Sequence, residues 1–196
     1  MKDDKLADKY EKVNFIGRGL IRNFYKAIEN ILKEIKVDNI LEIGCGPGFS
    51  TLYLSEFFKD KKFEASDIDL RMVQEARKRN PPININQESV YKLNRPDNSF
   101  DLVVLLETLE HLDKPEQALK ELKRVTRNYC LLSIPRDPLW RFLNMIRGKY
   151  WEHWGNTPGH INYWTKKKFI DFLNKHFKVQ KIKTPLPWVV ALVKKL

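Results

Sequence analysis

Two short segments carry side chains suited to proton transfer or metal binding. Glu107, Glu110 and His111 fall within about one turn of each other, and His160 lies further along the chain, within residues 159–165. Imidazole and carboxylate groups accept protons and also bind divalent cations. We therefore take His111 and His160 as candidate catalytic residues. The same side chains could instead hold a metal ion of unknown identity, or simply cap and pack the start of a helix.

A glycine-rich turn, residues 41–48, follows a short apolar segment and precedes a helical one. Glycines let the backbone approach a ligand closely, and a helix N-terminus favours polar or anionic groups. The turn differs from the G-x-G-x-x-G pattern of dinucleotide-binding loops because position 49 is Phe49, which disfavours a nicotinamide oxidoreductase. Asp67 follows Gly46 by about 20 residues, at a strand end where a carboxylate can accept hydrogen bonds from ribose hydroxyls.

Strand and helix patterns alternate around these candidate residues. The sequence predicts helices over 3–13, 20–35, 49–58, 70–79, 115–126 and 166–176. It predicts strands over 40–43, 62–66, 83–85, 100–106, 129–134, 177–183 and 188–194. Buried, non-alternating strands separated by helices are typical of a parallel sheet covered on both faces. We therefore predict an α/β fold with a doubly wound sheet.

The chain is expected to form a single domain over residues 1–196. Its predicted parts are N-terminal helices (1–36), a ligand-binding core (37–135), an aromatic-rich insertion (136–164), and a C-terminal helix and strand pair (165–196). The insertion could form a lid that holds a planar or prenylated molecule, stacks bases or enters a membrane interface. Its aromatic residues could equally pack over the sheet edge.

Composition excludes several classes of protein. Of 196 residues, 42% are hydrophobic and 31% charged, which supports a folded core and excludes disordered and low-complexity chains. No apolar run approaches the roughly 20 residues that span a bilayer, and the polar start does not resemble a signal peptide. Two cysteines cannot form a disulfide framework. We expect a cytoplasmic protein with reduced thiols.

The net charge of +11 is concentrated in one half of the chain. Residues 1–113 hold 18 Lys and Arg against 20 Asp and Glu, whereas residues 114–196 hold 18 against 5. This asymmetry indicates a face that meets an anion, such as a phosphorylated metabolite, a nucleic acid or a lipid surface. A solvated, lysine-rich exterior is the alternative interpretation.

Four blocks of the sequence, in order, resemble the class I S-adenosylmethionine-dependent methyltransferases. They are the glycine loop (41–48), the segment 67–69, the segment 93–101 and the segment 107–112. The resemblance is strong over residues 38–135 and loose elsewhere. It implies a Rossmann-like, seven-stranded sheet, mostly parallel with an antiparallel last strand, and S-adenosyl-L-methionine as cofactor, with S-adenosyl-L-homocysteine as product.

The resemblance also implies which residues meet the cofactor. The set is Glu42, Gly44, Cys45, Gly46, Gly48, Asp67, Ile68, Ser89, Val90, Leu105 and Leu106. The loop glycines would line its methionine and ribose portion, while Glu42 orients the loop or holds the amino group through water. Asp67 would bind the ribose hydroxyls and Ile68 would pack on the adenine. The family usually has an acid where this chain has Ser89, and the neighbouring Glu88 could take that role.

The chain shows one further departure from this family and two narrower resemblances within it. Residues 126–128 replace a Pro-Gly-Gly turn of the family, which predicts a shortened loop there. The Glu-x-x-Glu-His block with a later histidine resembles the metal site of small-RNA 3′-terminal 2′-O-methyltransferases. A related block occurs in ubiquinone-biosynthesis O-methyltransferases. Both likenesses leave a divalent metal as a candidate cofactor.

The sequence favours methyl transfer to a small-molecule acceptor, anionic or amphipathic, at oxygen. One alternative is an RNA 2′-O-methyltransferase, although no separate RNA-binding domain is evident. Another is a catalytically silent, cofactor-binding partner subunit. We expect a monomer or a homodimer.

Overall fold

The structure, a computed structural model, describes residues 15–196, so the helix expected over 3–13 lies outside the described residues. Its strands are β1 (Asn39–Ile43), β2 (Lys62–Asp67), β3 (Asn84–Gln87), β4 (Phe100–Leu106), β5 (Thr126–Pro135), β6 (Phe177–Lys183) and β7 (Trp188–Lys195). They form one sheet in the order β3-β2-β1-β4-β5-β7-β6. Strands β1 to β5 pair in parallel, and β7 runs antiparallel to both β5 and β6. The predicted mostly parallel, seven-stranded sheet is confirmed.

Within residues 15–196, six α-helices connect or flank these strands. They are α1 (Phe15–Leu32), α2 (Phe49–Phe57), α3 (Leu70–Arg79), α4 (Pro115–Val125), α5 (Leu139–Ile146) and α6 (Lys166–Asn174). Short 3₁₀ turns lie at Leu109–His111 and Trp151–His153. Helix α1 begins five residues earlier than the pattern predicted, because exposed Phe15 and Ile16 extend it beyond its amphipathic part. None of the helices within residues 15–196 has the length and apolar character needed to cross a membrane.

Helices cover both faces of the sheet, as expected of a doubly wound fold. One apolar core joins α1, α2 and α3 to alternate residues of the sheet, including Ile40, Leu102 and Val104. The other core joins α4 and α6 to the intervening residues, including Val103 and Leu105. Because both faces are covered, β4 is buried along its whole length.

Strand β5 begins at Thr126, directly after α4 and three residues before the predicted strand, so the connection at residues 126–128 is short, as expected, and Thr126 does not belong to the helix. Thr126 is buried with its Oγ1 3.0 Å from the Cys130 sulfur. The Arg127 guanidinium donates to Asp101 at 2.9 Å, and Asp101 also accepts bonds from the amides of Asp38 and Asn39 at 3.1 Å. These long-range partners hold the polar segment in the sheet, with a register shift in its pairing to β4.

Glycine is required where β1 turns into α2. Gly48 has a φ of 83° and precedes α2, and its carbonyl accepts a hydrogen bond from Asn80 Nδ2 at 2.9 Å. A Cβ at this position would lie 2.8 Å from the Ala76 Cα of α3. Gly46 also has a positive φ, 51°, but a Cβ there would meet nothing within 4 Å. Gly48 is therefore required by both its backbone conformation and its packing on α3, whereas Gly46 is required by its backbone conformation alone.

We predict that Gly48→Ala costs much more stability than Gly46→Ala. The first change combines a left-handed backbone with a clash against α3, at about 3 kcal/mol in all. The second meets only the backbone cost, about 1 kcal/mol. Urea unfolding of both variants measures the difference. Equal losses would show that the α2–α3 contact does not fix the loop.

Candidate cofactor and catalytic site

A cavity of about 400 Å³ lies at the carboxyl edge of the sheet, over β1, β2 and β4. Ligands of open α/β sheets bind at this edge, because the loops that leave parallel strands converge there. The wall is formed by Ile43, Gly44, Gly46, Asp67, Ile68, Glu88, Ser89, Val90, Tyr91, Glu107, Thr108, His111 and Leu112. It thus brings together six of the eleven residues expected at the cofactor, and one of the two candidate catalytic histidines.

The Asp67 carboxylate joins two turns at the centre of this wall. Its Oδ2 accepts a hydrogen bond from the Gly46 amide at 2.8 Å, and its Oδ1 accepts one from the Asp69 amide at 2.9 Å. Gly46 belongs to the glycine loop, whereas Asp69 caps α3 by accepting a bond from the Arg71 amide. The two backbone bonds fix the carboxylate against the cavity and leave lone pairs for a ligand.

Glycines of the loop serve the cavity in two ways. A Cβ on Gly44 would lie 2.6 Å from the Thr108 hydroxyl, so Gly44 lets the loop pack on the segment that follows β4. Gly46 faces open space in the wall, and a side chain there would occupy the cavity. The loop backbone is therefore the surface that a ligand meets.

Five of the expected cofactor residues lie behind this wall. They are Glu42, Cys45, Gly48, Leu105 and Leu106. The buried Glu42 carboxylate accepts a 2.6 Å hydrogen bond from Thr51 of α2, which holds the helix against β1. The Cys45 thiol is buried in the apolar core, where burial raises its pKa. The carbonyl of Leu106 accepts a bond from Thr108 Oγ1 at 3.0 Å.

The far end of the cavity combines an apolar side chain with polar ones. Ile68 projects from the wall and is largely exposed. The Ser89 hydroxyl accepts a bond from the Tyr91 amide at 3.3 Å. Glu88 also lines the cavity, and its carboxylate pairs with Arg95 at 3.2 Å. The acidic residue expected near position 89 is thus present as Glu88, but its carboxylate forms an ion pair with the Arg95 guanidinium.

His111 and His160 lie together, with ring centres 4.8 Å apart. His111 lines the cavity, and its Nδ1 is 2.9 Å from the carbonyl oxygen of Gly159. A carbonyl only accepts, so Nδ1 carries the proton and the Nε2 of neutral His111 keeps its lone pair. His160 is buried beside the Trp140 ring, and burial together with His111 lowers its pKa to about 4. It is therefore neutral near pH 7.

Two glutamates adjoin the histidine pair. Glu107 accepts a 2.7 Å hydrogen bond from Ser133 of β5. Glu110 is buried, and within residues 15–196 its Oε2 has no hydrogen-bond partner. Burial, with Glu107 and Asp137 nearby, raises the pKa of Glu110 well above its usual value. Ligand atoms of Glu110, His111 and His160 all lie within 4.8 Å of one another, close enough to share a cation.

The insertion reaches the site through residues 159–162. The amides of Ile161 and Asn162 donate to the carbonyl of Glu110 at 2.9 and 3.0 Å. The Asn162 side chain donates to the carbonyls of Leu109 and Leu112 at 3.1 and 2.6 Å. These bonds hold His160 against the 3₁₀ turn. Sequence reasoning selected His160 but missed Asn162, two residues away in the same segment.

Comparison with known proteins matches part of the chain to a family. Residues 41–134 match a family model described as a methyltransferase domain. A demethylmenaquinone methyltransferase of Paenarthrobacter aurescens is 31% identical over 71% of this chain. A malonyl-[acyl-carrier protein] O-methyltransferase of Halorhodospira halophila is 27% identical over 63%. The chain covers 57% and 42% of these two proteins, so it spans about half the length of such relatives.

A solved structure shares the fold across nearly the whole chain. The magnesium protoporphyrin IX methyltransferase of Synechocystis PCC 6803, with bound S-adenosylhomocysteine, superposes with a TM-score of 0.72. The match covers 98% of this chain and 94% of that one at 17% identity. The glycine loop, the strand order and the match to a methyltransferase domain together support a class I S-adenosylmethionine-dependent methyltransferase domain over residues 41–134.

Proposed function

We propose that the protein transfers a methyl group from S-adenosylmethionine to an oxygen atom of a small molecule. The observation that carries this proposal is the placement of His111 in the wall of the cofactor cavity with its Nδ1 bonded to the Gly159 carbonyl, which leaves Nε2 as the ring nitrogen that can accept a proton. Two of the matched relatives are named for small acceptors or acyl carriers, and one for O-methylation. These names support the acceptor class without identifying the acceptor.

The residues around the cavity fit the cofactor. Asp67 offers a carboxylate for ribose hydroxyls, and Ile68 offers an exposed apolar surface for an adenine ring. The open side of Gly46 admits a ligand to the loop backbone. When bound, S-adenosylmethionine supplies an electrophilic methyl group on a sulfonium.

His111 would serve as the general base in this reaction. As the acceptor hydroxyl gains its bond to carbon, its proton passes to Nε2 of His111, and the methyl–sulfur bond breaks with its electron pair on sulfur. The Gly159 carbonyl holds the ring in the tautomer that can accept this proton. His160 acts as a positioning residue, because its ring is buried and packs on His111.

We predict that Asp67→Ala weakens binding of S-adenosylhomocysteine about ten- to hundredfold, since hydrogen bonds to a charged group are lost. Calorimetric titration measures the dissociation constant. Asp69→Ala is the matched control, because Asp69 also accepts a backbone bond in this turn but lies outside the cavity wall. An unchanged affinity in Asp67→Ala would remove the cofactor assignment of this cavity.

We predict that His111→Gln lowers turnover about 10² to 10⁴-fold, the usual contribution of a general base, while cofactor binding persists. Transfer of radiolabelled methyl to a panel of phenols and hydroxy acids measures the rate. His153→Gln is the control, because His153 is exposed and distant from the cavity wall. Full activity in His111→Gln would contradict the proposed base. Cofactor binding without transfer to any acceptor, small molecule or RNA, would favour a silent partner subunit.

A divalent cation at Glu110, His111 and His160 is a second candidate function of the same cluster. The unpartnered Oε2 of Glu110 and the lone pair of His111 Nε2 are suitable ligand atoms. The bond from His111 Nδ1 to a carbonyl is the kind of contact that orients metal-binding histidines. A cation there would polarise the acceptor oxygen and lower the pKa of its hydroxyl.

We predict that this cluster binds Mn²⁺ and that Glu110→Gln weakens binding by at least about tenfold. Because the Glu110 pKa is raised, its proton must leave when the cation binds, so affinity increases with pH and protons are released. Calorimetry in buffers of different ionisation enthalpy measures both effects. Glu152→Gln, an exposed residue outside the cluster, is the control. If Mn²⁺ does not bind saturably, the proposal of a metal site is wrong, and His111 as general base is the one role left for this cluster.

A further inference from the structure

Helix α5 buries a polar side chain, Asn144, while two of its large apolar side chains, Phe142 and Ile146, are exposed. Asn144 is 4% exposed and donates to the Gly155 carbonyl at 3.0 Å. Arg141 is half-buried and donates to the Trp154 carbonyl at 3.0 Å. In contrast, Phe142 is 56% and Ile146 65% exposed. A surface helix in water normally has the opposite arrangement.

The segment after α5 exposes two more large apolar side chains, and one of them, Trp154, lines the same cavity as Phe142. Trp151 and Trp154 are 65% and 74% exposed. Large apolar side chains exposed as a group, in contrast to scattered ones, mark a surface that contacts something else. Tryptophan in particular combines an apolar body with a polar N–H, which suits a boundary between water and an apolar medium. We call Phe142, Ile146, Trp151 and Trp154 the apolar face.

Two cavities flank α5 and leave its sides uncovered. One, of about 700 Å³, is lined by Phe142, Met145 and Trp154 together with the start of α6. The other, of about 270 Å³, is lined by Leu143, Ile146 and the first turn of α1. Both walls are mostly apolar. The rest of the described chain therefore does not bury the helix.

Cationic residues surround the apolar face. Residues 136–168 contain seven Lys and Arg but only two acidic residues. Arg147 and Lys149 are exposed directly after α5, and Lys166, Lys167 and Lys168 are exposed at the start of α6. Apolar and aromatic side chains bordered by cations are the composition of helices that lie in the interface of an anionic bilayer.

We propose that the apolar face docks on the surface of a membrane that contains anionic lipids. Helix α5 has eight residues, too few for the roughly 20 that span a bilayer, so it would lie along the membrane surface. Its apolar face would enter the boundary between headgroups and acyl chains, and Arg147, Lys149 and the α6 lysines would meet the phosphates. This inference does not rest on the proposed reaction, since cofactor-cavity and apolar-face residues are separate sets.

Co-sedimentation with vesicles tests the docking surface. Phosphatidylcholine vesicles with and without phosphatidylglycerol, at low and high salt, are the probes. We expect binding to the anionic vesicles that Ile146→Ser/Trp151→Ser weakens at least about tenfold by removing inserted apolar area. Arg147→Gln/Lys149→Gln should weaken low-salt binding about tenfold and have less effect at high salt. Calorimetry with S-adenosylhomocysteine and thermal unfolding check that each variant is folded.

The control variant loses the same number of positive charges at the amino edge of the parallel strands, opposite to the edge that carries the insertion. Lys59→Gln/Lys62→Gln removes two exposed lysines at the start of β2 and should leave vesicle binding unchanged. An equal loss in this control would assign binding to net charge and overturn the proposal. So would a folded wild-type protein that binds neither vesicle. Light scattering that shows Ile146→Ser/Trp151→Ser dissolving a dimer, with vesicle binding unaffected, would assign the face to a second copy of the chain.

Discussion

The geometry of the site depends on one carboxylate, Asp67, shared between two turns. Gly46 has a left-handed φ of 51° and donates its amide to this carboxylate, and Asp69 caps α3, the helix whose last residue is followed by Asn80, which donates to the Gly48 carbonyl. Through these contacts the glycine loop, the end of β2 and the start of α3 behave as one unit. Asp67 therefore has a structural role in addition to the ligand contact, because the same oxygens that face the cavity also fix its walls.

The turn that carries His111 is held from two sides in a comparable way. Glu107 has a φ of 51°, unusual for a residue other than glycine, and its amide and carboxylate both bond to the Ser133 hydroxyl. A strained backbone of this kind persists only where its surroundings fix it. Ser133 supplies that support from β5, and Asn162 supplies it from the insertion. The position of His111 thus depends on segments far apart in the chain.

Sequence patterns were most informative where local signals and burial agree. Helix α3 has the predicted bounds because Asp69 caps its start and Pro81 follows its end, and β4 has them because every residue is buried. Thr126 was predicted to end a helix, whereas it begins β5. Its neighbour Arg127 is held in the sheet by Asp101, which lies 26 residues away in the sequence, so no local pattern indicates this contact. In the candidate site, spacing and resemblance selected Asp67 and His111, and both lie in the cavity wall. Thr108 was missed because its role arises from packing against Gly44, which no local pattern encodes.

The insertion contacts the histidine pair on one side and carries the apolar face on the other. Its short polar side chains, Asn144 and Asn162, donate to backbone carbonyls inside the protein, while Phe142 and Ile146 are exposed. The Trp140 ring of α5 lies against His160, with ring centres 6.3 Å apart, and His160 in turn packs on His111. A helix that rests on a membrane would therefore have its inner face directly on the histidine pair. In the proposed docked state, an acceptor taken from the bilayer would enter beside the two histidines proposed to act on it.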